Sequence, residues 1–177
     1  MRCSPDNKAR KTSAKLVHTI VTKAAENTNG PTPITGMTIL DNSLFVVKMN
    51  TPDVDVYDSE TFVFVRLIGK LHLRNPLDIA ASKEVNCLYV INRENDESTS
   101  IILTFNTAGE GCKMWPTEND DGRLSSYESN LIVCFSTKRI IVEYTPEGQT
   151  VNVVRLSPGN GQQTLACRKI NGNSFRR

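Results

Sequence analysis

The chain has 177 residues, of which 38% are hydrophobic and 23% are charged, a composition typical of a soluble globular domain with one sizeable core. It contains no uninterrupted apolar stretch of about 18 residues, so we expect no membrane-spanning helix. The net charge of +2 is unevenly distributed, because residues 1–26 carry six basic and two acidic side chains and residues 155–177 carry five basic and no acidic ones. The middle of the chain is therefore acidic, which argues against a nucleic-acid groove across it.

The first 32 residues are interpreted as a basic helix or tail that precedes the main domain. The segment Lys8–Glu26 favours a helix, because five apolar residues recur at helical spacing and form a narrow stripe: Leu16, Val17, Ile20, Val21 and Ala24. Gly30 and Pro31 then end it. We favour a surface helix that covers a sheet face or edge. The alternatives are disorder, or an amphipathic segment that binds a membrane or a partner, although we expect no membrane partner.

A repeat of about 43 residues follows from Ile34, where the apolar period changes from helical to alternating. Three triplets begin 44 and 43 residues apart: Leu44-Phe45-Val46, Leu88-Tyr89-Val90 and Leu131-Ile132-Val133. Each triplet is followed by an aromatic residue and then by residues that favour tight turns: the aromatic residues are Tyr57, Phe105 and Tyr144. A polar insert around Glu94–Ser98 accounts for the longer spacing in the second copy.

Each copy is predicted to form four short strands, so the chain is predicted to be all-β. The predicted strands are Ile34–Leu40, Leu44–Lys48, Val54–Tyr57 and Phe62–Ile68; Leu77–Ala81, Cys87–Asn92, Ser100–Phe105 and Cys112–Trp115; and Leu124–Tyr127, Leu131–Phe135, Ile140–Tyr144 and Val151–Leu156. Four strands in about 43 residues are typical of a propeller blade. We therefore predict a partial β-propeller over residues 33–157, with about three blades at 33–72, 73–119 and 120–157. The nearly continuous apolar second strands are expected to be covered on both faces.

The second copy resembles the NHL-repeat family. The resemblance is carried by a proline before a short inner strand, by a Leu-Tyr-Val strand, and by a strand that ends in an aromatic residue: Asn75–Ala80, Leu88–Asn92 and Ile101–Phe105. The other two copies match only in their second strands and tyrosines, and they lack the family's proline and glycines. The resemblance, over about residues 34–157, implies a propeller that binds a protein. In this family such propellers often follow RING and coiled-coil segments of ubiquitin ligases.

Three blades are too few to close a ring, since propellers have at least about four blades. Residues 158–177 are interpreted as the start of a fourth blade or as a basic tail. We therefore expect a fragment of a larger propeller, or one part of a propeller that a second chain completes. A truncated gene product without independent function is an alternative.

No catalytic motif is recognisable, and we expect the chain not to be an enzyme. The two histidines, His18 and His72, lie outside any nucleophile-and-base arrangement. The alternative enzymatic class is a calcium-dependent six-bladed propeller hydrolase or lyase, for which Asn75 and Asp78 are candidate ligands near an inner-strand end. Calcium usually takes six or more oxygen ligands, so we favour Asp78 as a cap of the turn after Pro76. We predict no cofactor and no bound metal.

The five cysteines form no CxxC pair and match no zinc spacing. Cys87 and Cys134 lie in predicted strands, where cysteine behaves as a small buried hydrophobe. Together with the lack of a recognisable secretory signal, this indicates a reduced, cytoplasmic setting. Trp115, the single tryptophan, is predicted to pack against an adjacent blade.

The candidate binding site is the polar insert of the second copy, because binding residues concentrate on loops that a rigid scaffold positions. Its residues are Asn92, Arg93, Glu94, Asn95, Asp96 and Glu97. The function that the sequence favours is a non-catalytic binding or scaffold module for a protein partner, with RNA as a less favoured partner.

Overall fold

A computed structural model describes residues 32–69, 73–94, 99–111, 113–117 and 122–156. Within these ranges the chain forms twelve strands in three four-stranded antiparallel sheets, each built from consecutive strands. This confirms the all-β prediction and the four strands of each repeat. The predicted helix Lys8–Glu26 and the segment 158–177 lie outside the described residues.

The strand bounds agree with the predicted ones to within two residues at each end. The first sheet contains β1 (Ile34–Leu40), β2 (Ser43–Lys48), β3 (Val54–Asp58) and β4 (Phe64–Ile68). The second contains β5 (Asn75–Ser82), β6 (Cys87–Arg93), β7 (Ser100–Phe105) and β8 (Lys113–Thr117). The third contains β9 (Gly122–Tyr127), β10 (Asn130–Phe135), β11 (Ile140–Tyr144) and β12 (Thr150–Arg155).

The register of the strands confirms the repeat that the sequence predicts. The leucine that opens each triplet lies directly opposite the aromatic residue of the next strand: Leu44 pairs with Tyr57, Leu88 with Phe105 and Leu131 with Tyr144. All six side chains are buried. A large apolar pair at the same register position in every sheet stabilises the cross-strand contact there, and it marks equivalent positions in the three sheets.

The turn after each aromatic residue is held by a polar side chain. A side-chain oxygen of Asp58, Asn106 and Thr145 accepts hydrogen bonds from backbone N–H groups two to four residues ahead, at 2.7–3.3 Å. Such local bonds offer the backbone an alternative to the strand ladder and reverse the chain. In the first sheet Phe62 lies within the turn, with a φ of 57°, so β4 begins at Phe64 and not at the predicted Phe62.

The three sheets lie side by side, with the inner strand of each in contact with the inner strand of the next: β1 contacts β5, and β5 contacts β9. We call the side of a sheet that carries its triplet leucine the leading side and the opposite side the trailing side. The trailing side of the first sheet and the leading side of the second share one hydrophobic core, and the second and third sheets share another. Stacking of this kind buries both sides of the second sheet.

The prediction that the second strands are covered on both faces is confirmed for β6, whose two sides lie in the cores shared with the first and third sheets. In β2 and β6 five consecutive residues are buried, and in β10 four of the six are buried. Burial on both sides explains why these segments lack the alternation of a half-exposed strand. Cys134 lies buried in β10 as a free thiol, and Cys87 is half-buried at the start of β6.

Candidate functional site

Three equivalent positions on the inner strands are occupied by different residues and lie at the contacts between sheets. Gly36, Asp78 and Arg123 each lie opposite the residue three positions after the triplet leucine of their own sheet. The glycine is required, because a Cβ at position 36 would lie 2.8 Å from the backbone nitrogen of Ile79 and even closer to the Asp78 carboxylate. The lack of a side chain in the first sheet therefore lets it approach the acidic residue of the second.

Asp78 connects the second sheet to the third instead of capping the turn after Pro76 as predicted. One carboxylate oxygen accepts the N–H of Ile79 at 2.9 Å, and the other accepts the N–H of Leu124 in β9 at 2.9 Å. The side chain of Arg123 donates in return to the carbonyl of Leu77 at 2.8 Å. Both Asp78 oxygens therefore serve the backbone, which disfavours the alternative that Asp78 is a calcium ligand.

Burial raises the pKa of Asp78 above its ordinary value, while the N–H groups of Leu124 and Ile79 and the charge of Arg123 act in the opposite direction. Desolvation is the larger influence because the carboxylate lies between two sheets. The contribution of Asp78 to the free energy of unfolding is therefore greatest below 3.8, the pKa of the unfolded chain. It decreases as the pH rises through the raised pKa of the folded chain. The arrangement of donors indicates that Asp78 has a structural role and links the second sheet to the third.

Two serines add further bonds between the inner strands of the second and third sheets. The hydroxyl of Ser126 donates to the carbonyl of Ala81 at 2.5 Å, and the hydroxyl of Ser82 donates to the carbonyl of Glu128 at 3.0 Å. Between the first and second sheets, Thr35 donates to the carbonyl of Pro76 at 2.7 Å. These bonds fix how far one sheet slides past the next.

The predicted binding insert is anchored at its base by Asn92, which is fully buried at the end of β6. Its side-chain oxygen accepts the N–H groups of Arg74 and Asn75 at 2.9 and 3.1 Å, and its side-chain nitrogen donates to a Glu94 carboxylate oxygen at 2.9 Å. Asn92 therefore joins the linker between two sheets to the first residue after β6. Such a residue supports the loop and does not itself face solvent.

Glu94 closes the insert and lies at its surface. Its N–H donates to the carbonyl of Thr99 at 2.9 Å, and its carboxylate lies 3.9 Å from the guanidinium of Arg74. Arg93 ends β6 and is half-buried. The remaining predicted site residues, Asn95, Asp96 and Glu97, lie outside the described residues. The structure thus brings Asn92, Glu94 and Arg74 together, and the role of the whole insert in binding stays a prediction.

The first sheet carries a buried polar cluster that the sequence analysis did not identify. The ammonium of Lys48 lies 2.8 Å from the Asp55 carboxylate, and the Tyr57 hydroxyl donates to the same oxygen at 3.1 Å. Both charged side chains are at most 7% exposed. The other Asp55 oxygen has no hydrogen-bond partner within the part of the chain that the structure describes. Lys48 and Asp55 occupy positions equivalent to Phe135 and Val142 in the third sheet, so an alignment of the repeats gives the signal that was missed.

Trp115 packs against an adjacent sheet, as predicted. It lies on β8, in edge contact with Tyr89 and 6.5 Å from it between ring centroids. A Cβ at Gly148, in the outer turn of the third sheet, would lie 2.5 Å from the indole ring. Gly109, in the outer turn of the second sheet, approaches Ile68 of β4 in the same way, so this contact is repeated at both sheet interfaces.

Neither a membrane span nor a metal cluster is found in the described ranges. They hold no helix that is long and apolar enough to cross a membrane. They also bring together no group of three or more His, Cys, Asp or Glu side chains that could hold a metal ion.

Three four-stranded antiparallel sheets, whose inner strands contact one another in chain order, fit a partial β-propeller. Similar solved structures agree with this class. The chain is similar to hydrazine synthase of Kuenenia stuttgartiensis, with a TM-score of 0.55 and 15% identity, over 76% of this chain and 40% of that one. It is also similar to BBS1N, solved in complex with ARL6DN and soaked with lead, with a TM-score of 0.52 and 18% identity, over 71% of this chain and 41% of that one.

These likenesses show the fold alone, and the chain spans about two fifths of the length of each of the two proteins. No family model and no curated protein matches the chain. Membership of the NHL-repeat family therefore stays a prediction from the second copy.

Proposed function

We propose that the chain is a non-catalytic binding or scaffold module, in which a propeller-like stack of sheets presents the polar insert of the second sheet to a protein partner. The observation that supports this most directly is the anchoring of the insert by Asn92, with two backbone N–H groups and Glu94 bonded to one buried amide. A fixed base lowers the entropy that a loop loses on binding. The insert also has no counterpart of the same length in the other two repeats.

A protein is the partner class that the remaining observations favour. BBS1N, one of the propeller-like neighbours, was solved in complex with ARL6DN, so a related stack of sheets accommodates a protein partner. RNA is less favoured, because residues 27–154 contain seventeen acidic and ten basic side chains and would repel a phosphate backbone. The calcium-dependent enzyme is less favoured because both oxygens of Asp78 already accept backbone N–H groups.

The role of the insert is tested by removing its charges without changing its shape. The variant E94Q/D96N/E97Q is compared with a matched control at the opposite ends of the strands, D41N/E60Q/E128Q, after crosslinking of the purified chain to cell proteins and quantitative mass spectrometry. We expect a discrete set of proteins that the wild type and the control retain and the insert variant loses. Identical sets for all three chains would contradict the proposal.

A second candidate function is assembly with further sheets, as part of a larger propeller or with a second chain. On the leading side of the first sheet, Met37 and Ile39 are 61% and 58% exposed. The equivalent positions of the third sheet, Leu124 and Ser126, lie against the second sheet. Apolar residues on this side of the first sheet therefore repeat a docking surface that the other sheets use.

Assembly is tested by M37S/I39S against the single control M114S, which removes an equally exposed methionine from the outer strand β8. If the chain associates through its first sheet, light scattering over a concentration series will show a larger mass for the wild type and for M114S than for M37S/I39S. A mass of one chain for the wild type at every concentration would exclude self-association.

A further inference from the structure

The leading side of the first sheet is buried at its centre, although it faces away from the other two sheets. Five side chains of β2 and β3 lie on this side and are at most 5% exposed: Leu44, Val46, Lys48, Asp55 and Tyr57. On the side of the third sheet that faces away from the second, three of the four central side chains are half-buried: Ile132, Ile141 and Glu143. The first sheet is therefore covered where the third is partly open.

The described strands do not supply this cover. The strands that pack on the first sheet belong to the second sheet and share a core with its trailing side. Phe62, in the turn before β4, packs against the apolar members of the buried group, but Asp55 lies near the opposite end of β3 from that turn. On an open sheet the long side chain of Lys48 would extend its charge into water. Another part of the protein must therefore lie on this side.

The chain enters the first sheet directly from the basic segment 8–26. Thr32, where the described part of the chain begins, is buried, and the carbonyl of Pro33 accepts the N–H of Met49 at 2.9 Å. This bond fixes the entry of the chain beside the end of β2 that carries Lys48. The residues from Ala24 to Thr32 span up to about 26 Å when extended, which exceeds the length of β2, roughly 20 Å. Segment 8–26 is therefore long enough to reach any point of the leading side.

Segment 8–26 matches the leading side in polarity and in charge. Its apolar stripe begins at Leu16 and ends at Ala24. On the leading side, exposed apolar residues of β1 and β4 flank the buried centre: Met37, Ile39, Phe64 and Leu67. Residues 1–26 hold six basic and two acidic side chains, whereas residues 32–69 hold two basic and five acidic ones. Burial of the stripe and the opposite net charges both favour contact.

We propose that the stripe from Leu16 to Ala24 docks on the leading side of the first sheet of its own chain and shields the buried group around Val46 from water. This contact does not rest on the role of the insert. It occupies the side that the second candidate function assigns to a further sheet. A sheet that docks there must first displace the stripe, so the N-terminal segment competes with assembly from within the chain.

Photocrosslinking of the full chain tests the contact. Phe64 is replaced by p-benzoylphenylalanine, which extends an aromatic ring already exposed on the leading side. The matched control carries the same replacement at Tyr127, an exposed aromatic residue on the trailing side of the third sheet. After irradiation and trypsin digestion, we expect position 64, but not position 127, to be joined to the peptide Leu16–Lys23. A mixture of unlabelled and isotopically labelled chains shows whether both joined peptides come from one chain.

Variants connect this product to the stripe. Ile20→Ser/Val21→Ser removes apolar area from the stripe and should lower the yield at position 64 roughly tenfold. Thr19→Ser/Thr22→Ser changes residues off the stripe and should retain the yield.

Three results would overturn the proposal: equal yields from the two variants, joining of position 64 to residues 157–177 instead, or joined peptides that come chiefly from two different chains. The last result would support assembly through the first sheet, so the two ideas predict different products. None of these outcomes depends on the insert.

Discussion

The leading sides of the first and third sheets differ although their strands pair in the same register. In the third sheet this side carries Phe135 and Val142, which pack in a core shared with the second sheet. At the equivalent positions the first sheet carries Lys48 and Asp55, which form a buried ion pair. The backbone ladder is the same in both, so the side chains alone decide whether these two positions are apolar or polar.

The difference indicates that the first and third sheets place different requirements on whatever covers these two positions. An apolar leading side packs against any sheet of matching shape, whereas a buried ion pair must have its remaining bonds satisfied. Asp55 has one oxygen without a partner in the described ranges. Because Asp55 is itself buried, this oxygen adds to the free-energy cost of the polar pair in the first sheet.

The largest effect is expected from removing one member of the ion pair. Asp55→Ala leaves the Lys48 ammonium buried without its carboxylate, and it should lower the free energy of unfolding by about 3–5 kcal/mol. The measurement is urea denaturation of the full chain, monitored by circular dichroism. A loss below about 1 kcal/mol would show that Lys48 reaches water easily, as an exposed ion pair does, and that the two leading sides are less different than their burial indicates.

The matched control makes the first sheet like the third. The double variant Lys48→Met/Asp55→Val removes both charges together, and replacement of a buried ion pair by apolar residues is often neutral or stabilising. We expect its stability to be close to that of the wild type. If the double variant unfolds as easily as Asp55→Ala, the Asp55 carboxylate accepts a further hydrogen bond whose loss the apolar pair does not offset.

The second effect concerns how tightly the leading side of the third sheet is packed. Gly148 and Gly111 both have positive φ values, 84° and 69°, but a Cβ at 148 meets the Trp115 ring whereas one at 111 has nothing within 4 Å. Gly111→Ala should cost about 1–2 kcal/mol from backbone strain alone. Gly148→Ala should cost a further 1–3 kcal/mol, roughly, from overpacking. Equal losses in urea denaturation would mean that the third sheet moves away from Trp115 without cost.

A smaller effect is expected at Asp78, which connects the second and third sheets through polar groups. Asp78→Ala leaves the N–H of Leu124 without its acceptor, and an unsatisfied buried donor costs about 1–3 kcal/mol. Amide hydrogen exchange at Leu124 should accelerate accordingly, while exchange in β2 stays slow. Unchanged exchange at Leu124 would show that another acceptor replaces the carboxylate. Glu60→Ala, in an exposed turn, is the control.

The sequence predicted the repeat well because the same physical requirement recurs in each copy. A leucine opposite an aromatic residue, with a turn-forming polar residue directly after it, occurs at Leu44 and Tyr57, at Leu88 and Phe105, and at Leu131 and Tyr144. Spacing alone locates these pairs. The place of Trp115 at the end of an outer strand also predicts a contact between sheets, because a large aromatic residue there has an adjacent sheet to pack on.

Features that depend on contacts between repeats were not predictable from one repeat. The residues that hold the inner strands together, Asp78, Arg123 and Ser126, have no distinguishing local pattern, and their partners lie about 45 residues away. The sequence predicts a local cap at Asp78, because a short-range bond is the default for aspartate near a proline. It predicts a binding role for Asn92, which borders a polar insert, but the Asn92 amide faces the linker between two sheets.

The smallest effect is expected from removing the hydroxyl of Tyr57, which donates to Asp55 on the leading side of the first sheet. Burial, and then the Asp55 charge and hydrogen bond, raise the pKa of Tyr57 from 10.0 to about 12. Between these values the unfolded chain releases the phenolic proton while the folded chain keeps it, so the free energy of unfolding falls as the pH rises from 10 to 12. Tyr57→Phe should cost about 1 kcal/mol at neutral pH and reduce this alkaline slope. Part of the slope remains in the variant, because the pKa of Tyr89 is also raised. If the urea midpoint of the variant falls as steeply with pH as that of the wild type, the proton of Tyr57 is not held by Asp55, and the polar character of the first leading side is reduced to the ion pair alone.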